Sequence, residues 1–270
     1  MVQDALVGEY LDLLKKALTA SIYDQSRWMP VKRTRSKLKS WMIAFLGKRG
    51  FAVLNRSGYT SKDVFDGRIW TDLGFTMVGM HRLDNVQTCV EDVLRRNVPG
   101  DLVETGVWKG GVTIFMRALL KVHGDEERLI WAADSFDGLP VPKDKDDGAD
   151  LSDVAELKIS LERVQDHFRR FNLLDDRVRF LKGWFADTLP TAPIKAISVL
   201  RLDGDLYSST MDALQSLYAK VSPGRYVIVD DYYSWESCKR AVHDFLDARG
   251  EKVDIRAVDW TGAYWQVPVR

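Results

Sequence analysis

Val103-Glu104-Thr105-Gly106-Val107-Trp108-Lys109-Gly110-Gly111 reads as a short apolar strand that ends in a glycine-rich turn and runs into a helix. Glycine at a strand-to-helix turn lets the backbone approach a ligand with no Cβ in the way. A nicotinamide dinucleotide site calls for G-x-G-x-x-G at this point. This chain instead has G-x-x-x-G-G, with the carboxylate of Glu104 two residues before the first glycine. A pyrophosphate has no use for that carboxylate, whereas the amino group of a methionine moiety does. The alternative is an ordinary glycine-rich turn.

Outward from this turn, short apolar strands alternate with amphipathic helices. Strands are expected at Leu102–Thr105, Arg128–Ala133, Val178–Leu181, Ala196–Leu202, Arg225–Val229, Lys252–Val258 and Gly262–Val269. Helices are expected at Val112–Val122, Val154–Phe171, Ser209–Val221 and Trp235–Arg249. Such alternation predicts an α/β fold, a mainly parallel sheet with helices on both faces. The last two strands are separated only by a short turn, so the sheet should end in an antiparallel pair. Residues 1–98 read as a helical extension and 99–270 as the main domain. In the extension, Tyr10, Leu13, Leu14, Leu18 and Ile22 are expected on one helical face, and a helix over Met77–Arg96 turns Leu83, Val86, Val90 and Leu94 to a core. Asn55–Asp72 reads as a loop. Lys32, Arg33, Arg35, Lys37 and Lys39 lead into Trp41-Met42-Ile43 and Phe45-Leu46, a helix with a cationic flank. That segment, 32–49, is suited to a solvated flank or to a peripheral contact with a membrane surface.

The 39 basic and 39 acidic residues cancel, which gives no reason to expect nucleic acid as a partner. Two cysteines, Cys89 and Cys238, exclude a disulfide scaffold and fit a reducing compartment. No apolar run approaches the roughly 18 residues of a membrane span, and Met1–Tyr10 lacks the order of a secretion signal. A cytoplasmic, soluble protein is the expectation.

Ligands of open α/β sheets sit beyond the carboxyl ends of the strands, and the chemically distinctive residues fall there. The second strand ends in Ala133-Asp134-Ser135-Phe136, where an acid can accept from both ribose hydroxyls or serve as a helix N-cap. The third runs into Lys182-Gly183-Trp184-Phe185, an aromatic pair suited to an adenine or to the core. The fourth and fifth end in Asp203-Gly204-Asp205 and Asp230-Asp231-Tyr232. Four carboxylates at adjacent strand ends need compensation, from nearby Lys or Arg or from a cation. Oxygen ligands without clustered histidine favour a hard cation, Mg²⁺ or Ca²⁺, over zinc.

These pieces together resemble the macrocin O-methyltransferase family. The resemblance rests on Tyr10-Leu11-Asp12-Leu13-Leu14-Lys15, Met80-His81-Arg82-Leu83-Asp84-Asn85, Glu104–Gly111 and Ala133–Phe136. It continues through Gly183-Trp184-Phe185, Leu200–Tyr207, Ser222-Pro223-Gly224 and Asp230-Asp231-Tyr232, in order over nearly the whole chain. It implies a class I S-adenosylmethionine (SAM) methyltransferase, Rossmann-like, with an N-terminal helical extension that covers substrate and supports homo-oligomers. It implies SAM as cosubstrate, with Glu104, Thr105, Gly106, Gly110, Gly111, Asp134, Ser135, Gly183, Trp184 and Phe185 as its site. It also implies Mg²⁺ on Asp203, Asp230 and Asp231, and a deoxysugar hydroxyl of a glycosylated small molecule as acceptor.

Relatives use as base either an acid matching Asp205 or a histidine in the lid after the second strand. No histidine lies between Phe136 and Gln165 here, so Asp205 is the candidate base, and His167 is expected on a surface helix. Leu139–Asp153 is read as a charged, mobile lid. A catechol acceptor would use the same metal. An NAD-dependent oxidoreductase lacks its glycine motif here, a carboxylate-metal hydrolase would bind no SAM, and a dead binding module would not keep every site element.

Overall fold

The structure, a computed structural model, describes residues 2–23, 29–31, 36–55, 60–70 and 73–269. The elements in chain order begin with α1 (Val2–Leu18), β1 (Met29–Pro30), α2 (Lys37–Gly47), β2 (Leu54–Asn55), α3 (Ser61–Phe65) and α4 (Met80–Arg95). The alternating part follows: β3 (Asp101–Thr105), α5 (Gly111–Val122), β4 (Ile130–Asp134), α6 (Leu161–Arg170), β5 (Val178–Lys182) and α7 (Phe185–Thr188). It closes with β6 (Ile197–Leu202), α8 (Tyr207–Leu217), β7 (Val221–Val229), α9 (Glu236–Ala248), β8 (Arg256–Ala257) and β9 (Ala263–Gln266).

The seven-stranded sheet has the order β5-β4-β3-β6-β7-β9-β8. Strands β3 to β7 run parallel, and β9 and β8 are antiparallel to their neighbours. The α/β class and the antiparallel ending are therefore as the sequence predicts. Successive strand residues face opposite layers. Leu102, Val199 and Ile228 pack under α1, α4, α5 and α6, while Val103, Leu200 and Val227 pack under α8 and α9. The chain leaves β3 toward β4 on one side and reaches β6 on the other, so a crevice opens at the carboxyl ends of β3 and β6.

Several expected elements change at their edges. The face of α1 that is buried is Leu11, Leu14 and Leu18, and Tyr10, Leu13 and Ile22 are exposed. That stripe keeps the i, i+3, i+7 spacing of a helix, and each leucine contributes roughly 1.5–3 kcal/mol by leaving water. The helix expected over Val154–Phe171 breaks in two. A 3-10 turn at Ala155–Leu157 ends first, and the hydroxyl of Ser160 then accepts from the Arg163 amide (3.4 Å) to start α6. The strand expected over Lys252–Val258 pairs only at Arg256 and Ala257. The loop expected at Asn55–Asp72 contains α3, started by a reciprocal Thr60–Asp63 capping box; residues 56–59 and 71–72 of it lie outside the described residues.

Of the basic stretch, Lys32, Arg33 and Arg35 lie outside the described residues. The remainder forms α2, which buries no side chain and leaves Leu38, Trp41, Met42 and Phe45 exposed. Among the described residues no helix is long and apolar enough to cross a membrane.

Candidate active site

The crevice holds a cleft in two halves. One, of about 330 Å³, is lined by Gly106, Asp134, Ser135, Trp184 and Phe185 and by Leu139–Val141 of the loop after β4. The other, of about 360 Å³, is lined by Arg82, Glu104, Asp230, Asp231, Trp235 and Trp260. Met77, Trp108, Leu157, Asp203 and Asp205 border both, so the carboxylates of Asp203 and Asp205 stand where the halves meet.

The turn after β3 is built for close approach. Gly106 has φ +85°, and a Cβ there would fall 1.6 Å from the carbonyl oxygen of Asp203. Asp134 fastens the turn from the neighbouring strand: Oδ2 accepts from the amides of Val107 (2.6 Å) and Trp108 (3.2 Å), and Oδ1 from Phe136 (2.7 Å). Burial raises its pKa and these amide hydrogen bonds oppose the rise. Asp134 caps no helix, since none starts directly after β4; its carboxylate ties the turn after β3 to the start of the loop after β4 and also borders the cleft. Gly111 serves packing, since its amide donates to Phe75 O (3.0 Å) and a Cβ would meet that oxygen at 2.5 Å. Thr105 is buried within the sheet, and the amide of Gly183 donates to Asp134 O (2.9 Å).

Glu104 does not present an open carboxylate. It is 1% exposed, accepts from the Thr113 hydroxyl and pairs with Arg201 (Nη1 to Oε1, 2.5 Å). Burial pushes its pKa up to about 7, against the pull of Arg201. Arg201 also reaches Asp203 (2.9 Å) and Asp230, and Arg82 from α4 holds the other oxygen of Asp230. Burial alone would raise Asp230, but these two guanidinium groups hold it below the ordinary carboxylate value.

Its neighbours go the other way. Burial and then Asp230 raise Asp203, and burial followed by Asp205, Asp203 and Asp230 raises Asp231 well above the usual value. Asp205 is pushed up to about 7, first by burial and next by Asp203. It sits at φ +57°, with Oδ1 accepting from the indole Nε1 of Trp235 (2.9 Å) and its own amide donating to Asp231 (3.3 Å). A left-handed conformation at a non-glycine residue is costly and is held only by such surroundings.

Asp203, Asp230 and Asp231 each offer an oxygen, all within 4.8 Å of one another. Glu104, Asp203, Asp230 and Asp259 pair with the two guanidinium groups of Arg82 and Arg201, while Asp205 and Asp231 stand against the other acids. The arginines thus supply part of the compensation, and the surplus negative charge on hard oxygen donors fits a divalent cation.

Arg82 and Arg201 lie inside motifs that carry the resemblance, and Trp235 opens an expected helix, but sequence assigns none of them a role at the site. Arg201 had left one signal: a charged residue inside the apolar run Ile197–Leu202 must find buried partners. His167 corrects an expectation. It is 5% exposed, with Nδ1 2.9 Å from Lys109 O and its ring edge-on to Phe75. The loop 139–153 is tied at its foot. Asp147 is 4% exposed and accepts from the Ser208 amide (2.6 Å), the Ser208 hydroxyl (2.9 Å) and the Lys143 amide (2.8 Å).

Residues 7–267 match the macrocin O-methyltransferase (TylF) family. The chain belongs to that family. Among its relatives, the methyltransferase is 51% identical over 210 residues to the 8-demethyl-8-(2,3-dimethoxy-alpha-L-rhamnosyl)-tetracenomycin-C 4'-O-methyltransferase of Streptomyces olivaceus, spanning 74% of this chain and 78% of that one. It is 42% identical to the demethyldecarbamoylnovobiocin O-methyltransferase of Streptomyces niveus, over 95% of this chain and 92% of that one. The solved structure of the O-methyltransferase NovP superposes with a TM-score of 0.82 at 41% identity, covering 97% of this chain and 100% of that one. The methyltransferase therefore transfers a methyl group to oxygen on the fold described above.

Proposed function

We propose that this methyltransferase uses SAM and Mg²⁺ to methylate a hydroxyl of a deoxysugar carried by a glycosylated natural product, in the cytoplasm. The observation that carries the reading is that Asp203, which borders both halves of the cleft, lies within 4.8 Å of Asp230 and Asp231 on the wall of the second half. A donor bound on the Gly106–Asp134 side and an acceptor on the Trp235–Trp260 side meet at Asp203. The names of the rhamnosyl-tetracenomycin and novobiocin relatives support a sugar on an antibiotic scaffold.

SAM supplies an electrophilic methyl group, and a divalent cation lowers the pKa of a hydroxyl it contacts. The chain's own residues do the rest. Trp184, Phe185 and the Leu139–Val141 segment wall the donor half and exclude water. Asp134 and Ser135 shape the nucleoside end of that half, with Gly106 giving the close approach. Asp203, Asp230 and Asp231 would hold the cation. Asp205, oriented by Trp235, takes the hydroxyl proton onto its carboxylate as the methyl group moves. The exposed apolar side chains of α2 support assembly with a second copy.

Isothermal titration with SAM and then with Mg²⁺, on the wild type and an Asp203→Ala/Asp230→Ala variant, tests the reading. Saturable SAM binding in both, with Mg²⁺ binding lost in the variant, is expected. Absence of SAM binding to the wild type would overturn it.

A further inference from the structure

Arg82 stands outside the main sheet, in the first turn of α4, yet it is almost wholly buried against the carboxylate cluster. Its guanidinium makes three separate connections. Nη1 pairs with Oδ2 of Asp230, Nε lies 3.1 Å from Oδ2 of Asp259 in an ion pair without hydrogen-bond geometry, and Nη2 donates to the carbonyl of Gly67 at 3.5 Å. The side chain passes between two glycines with little to spare. A Cβ at Gly67 would lie 2.7 Å from Nη2, and one at Gly262 would lie 3.2 Å from Cδ.

Asp259 in turn shapes the tight turn before β9, its Oδ1 accepting from the amides of Thr261 (2.9 Å) and Gly262 (2.8 Å). Thr261 O accepts from the Tyr233 amide (2.8 Å), just after the Asp230-Asp231 pair. Between Asp259 and Thr261, Trp260 donates from Nε1 to Asp66 O (2.9 Å), and Trp260 and Thr261 both line the acceptor half of the cleft. One guanidinium therefore joins a carboxylate of the cation site, the loop before α4 and the turn that carries part of the acceptor wall.

We propose that Arg82 is a positioning residue that couples cation binding at Asp230 to the ordering of the 259–262 turn. The inference rests on the metal reading given under Proposed function. Arg201 fixes one oxygen of Asp230 from within the sheet, and Arg82 fixes the other from the extension. The carboxylate is thereby aimed at the site with its remaining lone pairs available. A planar fork with several donors can hold Asp230 and Asp259 together, which the point charge of a lysine cannot. Because such coupling is reciprocal, a cation that settles Asp230 also settles the turn, and a well-ordered turn strengthens cation binding.

The test uses the full chain and MgCl₂ as the probe. Mg²⁺ affinity is measured by calorimetry, and amide hydrogen exchange is followed at Tyr233, Thr261 and Gly262 with and without Mg²⁺. In the wild type, Mg²⁺ should slow exchange at those three amides. Arg82→Met should weaken Mg²⁺ about tenfold or more, the range for a lost outer partner of a metal ligand. It should also abolish the Mg²⁺-dependent protection while leaving SAM affinity unchanged. Arg82→Lys should recover part of the affinity without the protection. Asp259→Asn, which leaves the Arg82–Asp230 pair in place, should lose the protection, and it decides the matter if Arg82→Met does not fold.

Mg²⁺ binding within twofold of wild type in Arg82→Met, with the protection intact, sinks the inference and leaves the metal reading standing. Preserved protection in Asp259→Asn sinks the coupling in the same way. A wild type that binds no Mg²⁺ sinks the metal reading itself and this inference with it.

Discussion

Glu104 shows how one position carries two demands. The residue sits at the end of a strand that faces the ligand crevice, and its carboxylate is spent inside the protein on Arg201 and Thr113. In the metal-free protein its pKa is raised from the ordinary 4.5 to about 7. The folded state then binds more protons than the unfolded chain between those values, so this group's contribution favours folding below that window and is lost as pH rises through it. Urea titrations of the apo protein should show stability falling between about pH 4.5 and 7, with the slope reduced in Glu104→Gln.

For Asp205 the consequence concerns rate. A base must be deprotonated, and in the metal-free protein burial and then Asp203 push this carboxyl up to about 7. A cation held by Asp203 offsets that push, so the rate should climb with pH along a limb that moves to lower pH as Mg²⁺ is raised. Asp205→Asn should lower kcat by roughly 10²–10⁴, the usual worth of a positioned base, with SAM affinity unchanged by calorimetry. An Asp205→Asn variant of near-normal kcat would remove Asp205 from the role.

At the scale of elements, the loop between β4 and α6 and the helix α8 depend on one another. Leu206 precedes α8 with no side-chain cap of its own, and the missing partner comes from Asp147, sixty-one residues from the amide of Ser208 that it accepts. The acid also closes a local turn onto the amide of Lys143. Burial works against its charge, but these hydrogen bonds hold its pKa below the usual value. Asp147→Ala should cost about 0.5–2 kcal/mol, as for a lost N-cap, and should loosen the segment 139–141 that walls the donor half. Chemical denaturation and SAM calorimetry check both, with weaker SAM binding expected alongside the lower stability. The lid expected from sequence as a charged segment is thus anchored by one of its own charges. The run of acids and lysines gave no indication which of them would turn inward.

At the scale of the whole molecule, α1 and α4 bury their apolar faces into the same layer as α5, whereas α2 buries none of its side chains. An 11-residue helix is marginal by itself in water, and α2 buries no side chain against the described residues, so a second copy of the chain is expected to stabilise it. Replacing residues 36–49 by a short Gly-Ser loop should leave SAM binding intact and shift the sedimentation mass to that of a monomer. An unchanged mass would overturn the assembly with a second copy. Loss of binding to anionic liposomes in the same variant would instead support the peripheral membrane contact considered for 32–49.

The alternating pattern from Leu102 to Gln266 made the parallel sheet legible. Apolar runs of strand length, glycine turns and helical spacing are local properties, and each strand reports its own burial through its own residues. The acids at the carboxyl ends of β3, β4, β6 and β7 were legible for the same reason, since strand ends can be counted along the chain. What sequence could not rank was which charges would meet. Arg82 and Asp230 are 148 residues apart, and Arg201 and Glu104 are 97 apart. A guanidinium chooses its partner by distance and direction in space, and neither is written in spacing along the chain. His167 was misplaced on the same ground, because helical periodicity gives a face but not what lies against it, here Phe75 and the carbonyl of Lys109. The sequence by itself determined the layers, the strand ends and the residue types that gather there. Tertiary structure alone decided how those charges pair, because burial makes each pairing a contest between desolvation and the nearest opposite charge.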